Sequence, residues 1–295
     1  MKPSKYVSLA FFLYIILSLF SCNPKEAQTS ESGIRFDSIK IHHTPHYLND
    51  PSKPSFNVRI DFIYPVAGLD AERIKAIQKI FVRNIPGEEG LSNLTPLEAA
   101  NTLASRDSAS FKDEGDEILK AMMEQEKHNE HEDDKEIDLA LSVLSNIHLT
   151  LRNDILFNNN NIISCQWNRE TYYGGAHCSR TYKFFNINLV TSTQLTEKDI
   201  FIDDYQSTLT RIIISKLMKQ SNVKDASALE EEACYFSIEE ITPNNNFSIG
   251  KDGLTFIYNE YEIACYAAGV IKVFIPYTEL REILSSDSPL IPLSQ

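Results

Sequence analysis

Between Phe56 and Tyr64 the apolar residues, Ile63 apart, fall on every second position: Phe56, Val58, Ile60, Phe62 and Tyr64. A period of two puts all five side chains on one face of a strand, so this segment requires a sheet with at least one covered face. Pro65 ends the run, and Asp70 then offers the N-cap of a helix carrying Ile74, Ile77, Phe81 and Ile85 along one side. Pro86-Gly87 stops that helix. Further strands are expected over residues 38–47, 147–157, 162–172 and 180–189, with the four asparagines at 158–161 as a turn. A helix is expected over 204–220, a hairpin around Lys251-Asp252-Gly253, a strand over 270–275 and a terminal helix from Pro276 that buries Leu280 and Leu284. Strands and helices do not alternate strictly and hairpins are frequent. The expected class is α+β, with mostly antiparallel sheets, packed helices and two adjoining subdomains.

The first residues read differently. Lys2 and Lys5 precede an apolar run from Tyr6 to Phe20, short for a membrane span but suited to a secretory signal. The run ends in Leu19-Phe20-Ser21-Cys22, which resembles the lipobox of bacterial lipoproteins. That resemblance implies a signal peptide over residues 1–21, lipid on Cys22 and a cell-envelope location at the outer membrane, with the lipid as the membrane contact. Residues 22–37 are polar and are expected to act as a flexible tether.

Lysine and arginine total 28 against 41 acidic residues, a net charge of −13. Such a balance excludes nucleic acid as a partner and favours cationic ones. Residues 112–136 alone hold eleven acids and four lysines. They are expected to continue as a helix through Leu144 with much of its surface in water. His128 and His131 lie among these acids at a spacing that could hold a metal, although a charge run of this kind is more often a solvated face. No Cys/His spacing of the zinc type occurs, and no cofactor is expected. Besides Cys22 the cysteines are Cys165, Cys178, Cys234 and Cys265, for which three pairings exist.

Two motifs carry a further resemblance. Tyr172-Tyr173-Gly174-Gly175-Ala176-His177 is followed by a strand and by Leu195-Thr196-Glu197-Lys198-Asp199-Ile200-Phe201. Tyr261-Glu262-Ile263-Ala264-Cys265-Tyr266-Ala267-Ala268-Gly269 is followed by Val273-Phe274-Ile275-Pro276-Tyr277. Together they resemble the RsiV-type C-terminal domain preceded by a PdaC-like domain, which implies units over 38–178 and 179–285. The resemblance implies an extracytoplasmic binding module for a protein or glycan, with a lysozyme-like cationic protein as the sharpest expectation. Deacetylase chemistry is not expected, because in such enzymes it belongs to a separate metal-dependent domain.

The two motifs are expected to meet, with Glu262 near His177 and with Tyr173, Tyr261 and Tyr266 around them. A histidine beside a carboxylate can move a proton, and clustered tyrosines suit a sugar or protein contact. The same residues could instead form a structural knot, with Glu262 satisfying buried amides. Cys178 and Cys265 stand where the family commonly has glycine and proline. Their place in the two motifs implies a Cys178–Cys265 disulfide.

Overall fold

The computed structural model describes residues 32–126 and 134–294; the apolar leader, Cys22, His128 and His131 lie outside the described residues. The elements in chain order are β1 (Arg35–His43), β2 (Asn57–Ala67), α1 (Ala71–Arg83), α2 (Pro96–Glu126), α3 (Asp134–Asn146), β3 (His148–Asn159), β4 (Ile162–Tyr172), β5 (Ser179–Asn188) and β6 (Thr193–Leu195). They continue with α4 (Tyr205–Ser221), α5 (Ser227–Glu232), β7 (Phe247–Ile249), β8 (Gly253–Tyr258), β9 (Ile271–Pro276) and α6 (Tyr277–Leu280). The class is α+β, as expected. Strands β1 to β6 form one sheet in sequence order, and β7 to β9 form a second. Every pair is antiparallel except β2 with β3, where Asn57–Asp61 runs beside His148–Arg152. A parallel pair needs a crossover, and here the crossover contains all three helices α1 to α3.

One face of the six-stranded sheet packs on α1 and α2. The alternating Phe56, Val58, Ile60 and Phe62 are fully buried there, and Trp167 lies 4.7 Å from Phe62 between ring centroids. The Trp167 indole donates to the Phe81 carbonyl at 3.0 Å, so the largest core side chain leaves no polar atom unpaired. Helix α1 starts as the sequence implies, with the Asp70 carboxylate accepting from the Arg73 amide at 3.0 Å. The asparagine turn holds Asn160 and Asn161 at φ of 50° and 58°, the left-handed pair of a tight hairpin.

The second layer is β7 to β9 with α4, and its core gathers Leu209, Ile213 and Leu217 against Phe256, Val273 and Ile275. Two expectations need correction. The division at 178/179 falls inside the β4–β5 hairpin, which is paired from Thr171–Ser179 to Ile162–Asn188. Phe185, Ile187 and Leu189 therefore belong to the first core. The terminal helix is a single turn, Tyr277–Leu280; Leu284 instead makes an isolated bridge with Phe201.

Asparagine side chains join the layers. Beyond β6, the outer edge of β5 has no strand neighbour among the described residues. Asn246 accepts from the Phe184 amide at 2.7 Å and donates to the Tyr182 carbonyl at 3.1 Å, while Asn259 accepts from the Tyr182 amide at 2.7 Å. Asn186, in turn, donates to the Phe247 carbonyl at 2.9 Å and accepts from the Ile249 amide at 3.1 Å. Each amide presents a donor and an acceptor, as a peptide group would.

Asn246→Ala leaves the buried Phe184 amide without its acceptor, while the Tyr182 and Ile257 carbonyls keep Asn259 and Asn244 as donors, and is expected to cost about 1–3 kcal/mol, read by urea unfolding. Gly115 gives a sign test. Alanine in a helix interior normally gains about 1 kcal/mol over glycine. Here the added Cβ would enter the ring of the fully buried Tyr47. Gly115→Ala is therefore expected to lower the melting temperature by several degrees, and a rise would mean the ring can step aside.

Candidate functional site

The β4–β5 connection and the loop after β8 meet at one end of the six-stranded sheet. Gly174 and Gly175, at φ of 84° and 145°, turn the chain so that His177 stands out from the end of β5. Its ring lies on that of Tyr266, with centroids 3.7 Å apart and an interplanar angle of 16°. Tyr261 completes an aromatic tier, 5.6 Å from Tyr266 and 6.4 Å from His177. The Tyr266 hydroxyl reaches the Cys178 carbonyl at 3.5 Å, so the two motifs touch through backbone as well as rings.

Two expected members are elsewhere. Glu262 accepts from Asn244 at 2.7 Å and from the Asn259 amide at 2.7 Å. Both of its oxygens hold the asparagines that position the layer junction, and neither is aimed at His177. Tyr173 turns away and packs edge-on against Phe111 at 5.1 Å. Glu262 thus holds two asparagines at the surface, and His177, Tyr261 and Tyr266 lie together as exposed or half-buried rings.

Tyr261 is the strained member. It is 57% exposed yet sits at φ 65°, a left-handed conformation that costs a bulky residue roughly 1–2 kcal/mol. The turn that imposes it is closed by the Glu262 amide donating to the Asn259 carbonyl at 3.0 Å.

A polar groove runs along the outer side of the same hairpin. One part, about 520 Å³, is lined by Pro86, Gly87, Glu88, Arg169, Thr171, Ser179 and Thr181. A neighbouring part of about 300 Å³ shares Pro86, Gly87 and Thr181 and reaches Asn246, Asn259 and Glu262. Glu88 is 5% exposed and takes hydrogen bonds from Arg106 at 2.7 Å and Arg169 at 2.5 Å. Burial pushes its carboxyl up, but the two guanidinium groups together outweigh this and hold it below the usual range. Asp107 is 2.8 Å from Arg106, so two acids and two arginines balance in charge. This cluster escaped the sequence reading because its members are 81 residues apart at the widest hydrogen bond, and no local pattern links them.

Cys165, Cys178, Cys234 and Cys265 are all free thiols, and the thiol that Cys265 meets is that of Cys234. Cys265 Sγ lies 2.7 Å from Cys234 Sγ, and the Cys265 amide donates to the Cys234 carbonyl at 3.0 Å. Tyr235 and Ala264 form the bridge that brings the two segments together. Cys178 points instead toward His148 and Glu170. Cys165 is fully buried, and desolvation pushes its thiol well up. In oxidising buffer, peptide mapping without reductant is expected to find Cys234 linked to Cys265 and Cys178 open to alkylation. A Cys178–Cys265 peptide would contradict this arrangement.

Residues 198–278 match the family model described as a protein of unknown function, DUF3298. The peptidoglycan-N-acetylmuramic acid deacetylase PdaC of Bacillus subtilis (strain 168) is 26% identical over 183 residues. That alignment covers 59% of this chain and 37% of the enzyme, so the chain matches well under half the length of this curated relative. A solved DUF3298 family member from Bacteroides fragilis is 27% identical with a TM-score of 0.75, covering 90% of this chain and 99% of that one. Another, from Pseudomonas aeruginosa PAO1, has the same fold at 14% identity and a TM-score of 0.56, covering 86% and 95%. The second layer, from the turn after β6 to the start of α6, is therefore a DUF3298 domain.

Proposed function

We propose that this chain is an extracytoplasmic binding module, carried on lipid at Cys22, which recognises a cell-envelope ligand through the tier of His177, Tyr266 and Tyr261 without turning it over. The observation that carries this reading is Tyr261: a large aromatic side chain held in a strained backbone conformation and left mostly in water. Backbone strain persists where surrounding structure enforces it, and folding gains little from a ring so exposed. A ligand that covers the ring supplies the missing contact. Stacked aromatic faces fit the C–H faces of sugar rings, and one named relative is a peptidoglycan deacetylase, so the favoured ligand is a cell-wall glycan. Glu262 supports binding over turnover, since both its oxygens are committed to Asn244 and Asn259.

The net charge of −13 favours a second ligand, a cationic protein of the lysozyme kind. Salt separates the two: attraction between opposite net charges weakens with ionic strength, whereas stacking on sugars does not.

Titration calorimetry with soluble peptidoglycan fragments, and separately with lysozyme, tests the reading. Tyr261→Gly is expected to leave the melting temperature unchanged or raise it slightly, because glycine relieves the strain at φ 65°. The same variant, and Tyr266→Ala, are expected to weaken ligand binding at least tenfold. Unchanged affinity for both ligands in both folded variants would sink the proposal.

A further inference from the structure

Three adjacent strands place a different set of side chains on the sheet face just behind the aromatic tier. His148 opens β3, Glu170 lies two residues before the end of β4, and Cys178 immediately precedes β5. The registers His148–Tyr172 and Glu170–Arg180 bring them to one corner. A His148 ring nitrogen, a Glu170 carboxylate oxygen and Cys178 Sγ all lie within 4.8 Å of one another, and each residue is only partly exposed.

The proton on His148 is fixed by its other nitrogen. Nδ1 is 2.8 Å from the Asn146 carbonyl, which can only accept, so Nδ1 carries hydrogen. Neutral imidazole then presents a lone pair at Nε2, 3.3 Å from Glu170 Oε1. Two acceptors face each other there, and something positive belongs between them. A proton would serve for these two alone, but it would give the Cys178 sulfur on the third side no role.

We propose that His148, Glu170 and Cys178 form a binding site for a divalent transition metal of the zinc class, with a fourth position open to solvent or ligand. Nitrogen and oxygen ligands at zinc distances of about 2.0–2.1 Å span a tetrahedral edge of about 3.3 Å, the separation found between His148 Nε2 and Glu170 Oε1. An Nδ1–H donated to a backbone carbonyl is the usual outer support of a metal-bound histidine. Glu170 is held by its second oxygen, which accepts from Arg180 at 2.6 Å and leaves Oε1 free to turn toward the cation. Arg180 would repel a metal if its charge stood alone, but Glu260 lies 3.9 Å away on its other side. A catalytic cysteine–histidine pair fits less well. Its orienting acid would sit on the nitrogen away from the sulfur, and here Nδ1 meets the Asn146 carbonyl while Glu170 faces Nε2. The site does not depend on the tier being a ligand surface, although Tyr172, stacked on His148 at 6.1 Å, connects the two.

Cobalt makes the test spectroscopic. Titrating the reduced, metal-stripped chain with Co²⁺ is expected to give one equivalent of binding, with a thiolate-to-cobalt charge-transfer band and the visible absorption of tetrahedral cobalt. Zn²⁺ should displace the cobalt and raise the melting temperature. Cys178→Ser is expected to remove the charge-transfer band, and His148→Gln to weaken Zn²⁺ at least tenfold, with both variants checked for folding by circular dichroism. A band that survives in Cys178→Ser, or Zn²⁺ affinity unchanged in His148→Gln, would place the metal elsewhere and overturn the assignment. Failure of the native chain to take up either metal would equally overturn it.

Discussion

On the edge away from β4, strand β5 carries backbone groups beside which no strand runs among the described residues. Strand β6 covers only Asn186 to Asn188, so the amides of Tyr182 and Phe184 face the second layer. An unpaired buried amide costs roughly 1–3 kcal/mol, and several together would rival the stability of a whole domain. Asn246 and Asn259 answer them from the second layer, and Asn186 answers β7 from the first. The orientation of each amide follows from its partners: an oxygen that accepts from Phe184 must leave its nitrogen facing carbonyls. The junction is therefore directional, and it fixes how the DUF3298 domain sits on the larger sheet.

That junction explains why the aromatic tier has one geometry. Glu262 clamps Asn244 and Asn259, and the same turn from Asn259 to Glu262 forces Tyr261 into its left-handed conformation. Strain at Tyr261 is thus maintained by hydrogen bonds that the fold needs for another reason. The β4–β5 hairpin brings His177 from the first layer to a place set by the second. A surface built this way is more rigid than a free loop, which reduces the ordering cost when a ligand docks.

Much of the fold was legible because it rests on local signals. Alternation marked β2, the asparagines marked the β3–β4 turn, and Asp70 marked the start of α1. The first half of helix α2, before residue 112, was hidden for a physical reason. Its core face is made partly of Ala99, Ala100 and Ala104, small residues that periodicity weighs lightly, although Thr95 and Glu98 form a capping box at its start. The parallel pairing of β2 with β3 could not be read locally, since about 90 residues of crossover separate the partners. In the site, the meeting of the two motifs was legible from their glycines and tyrosines. The destination of Glu262 was not, because a carboxylate accepts equally well from a histidine or an asparagine. Four cysteines allow three pairings, and the approach of Cys265 to Cys234 depends on the Tyr235–Ala264 bridge, which no local pattern announces.

The corner holding His148, Glu170 and Cys178 shows a different limit. No two of these residues are close in sequence, and each alone is unremarkable: a histidine at a strand start, a carboxylate paired with arginine, a cysteine before a strand. Their chemistry exists only once the β3–β4 and β4–β5 registers are set. A slip of one residue in either pair would move Glu170 to the face that carries Arg169 and Thr171, where the charge balance of Glu88, Asp107, Arg106 and Arg169 is already closed. The sheet thus sorts its polar residues by face: one side takes an ion cluster balanced in charge, and the other is left with an imidazole, a carboxylate oxygen and a thiol converging on the same point.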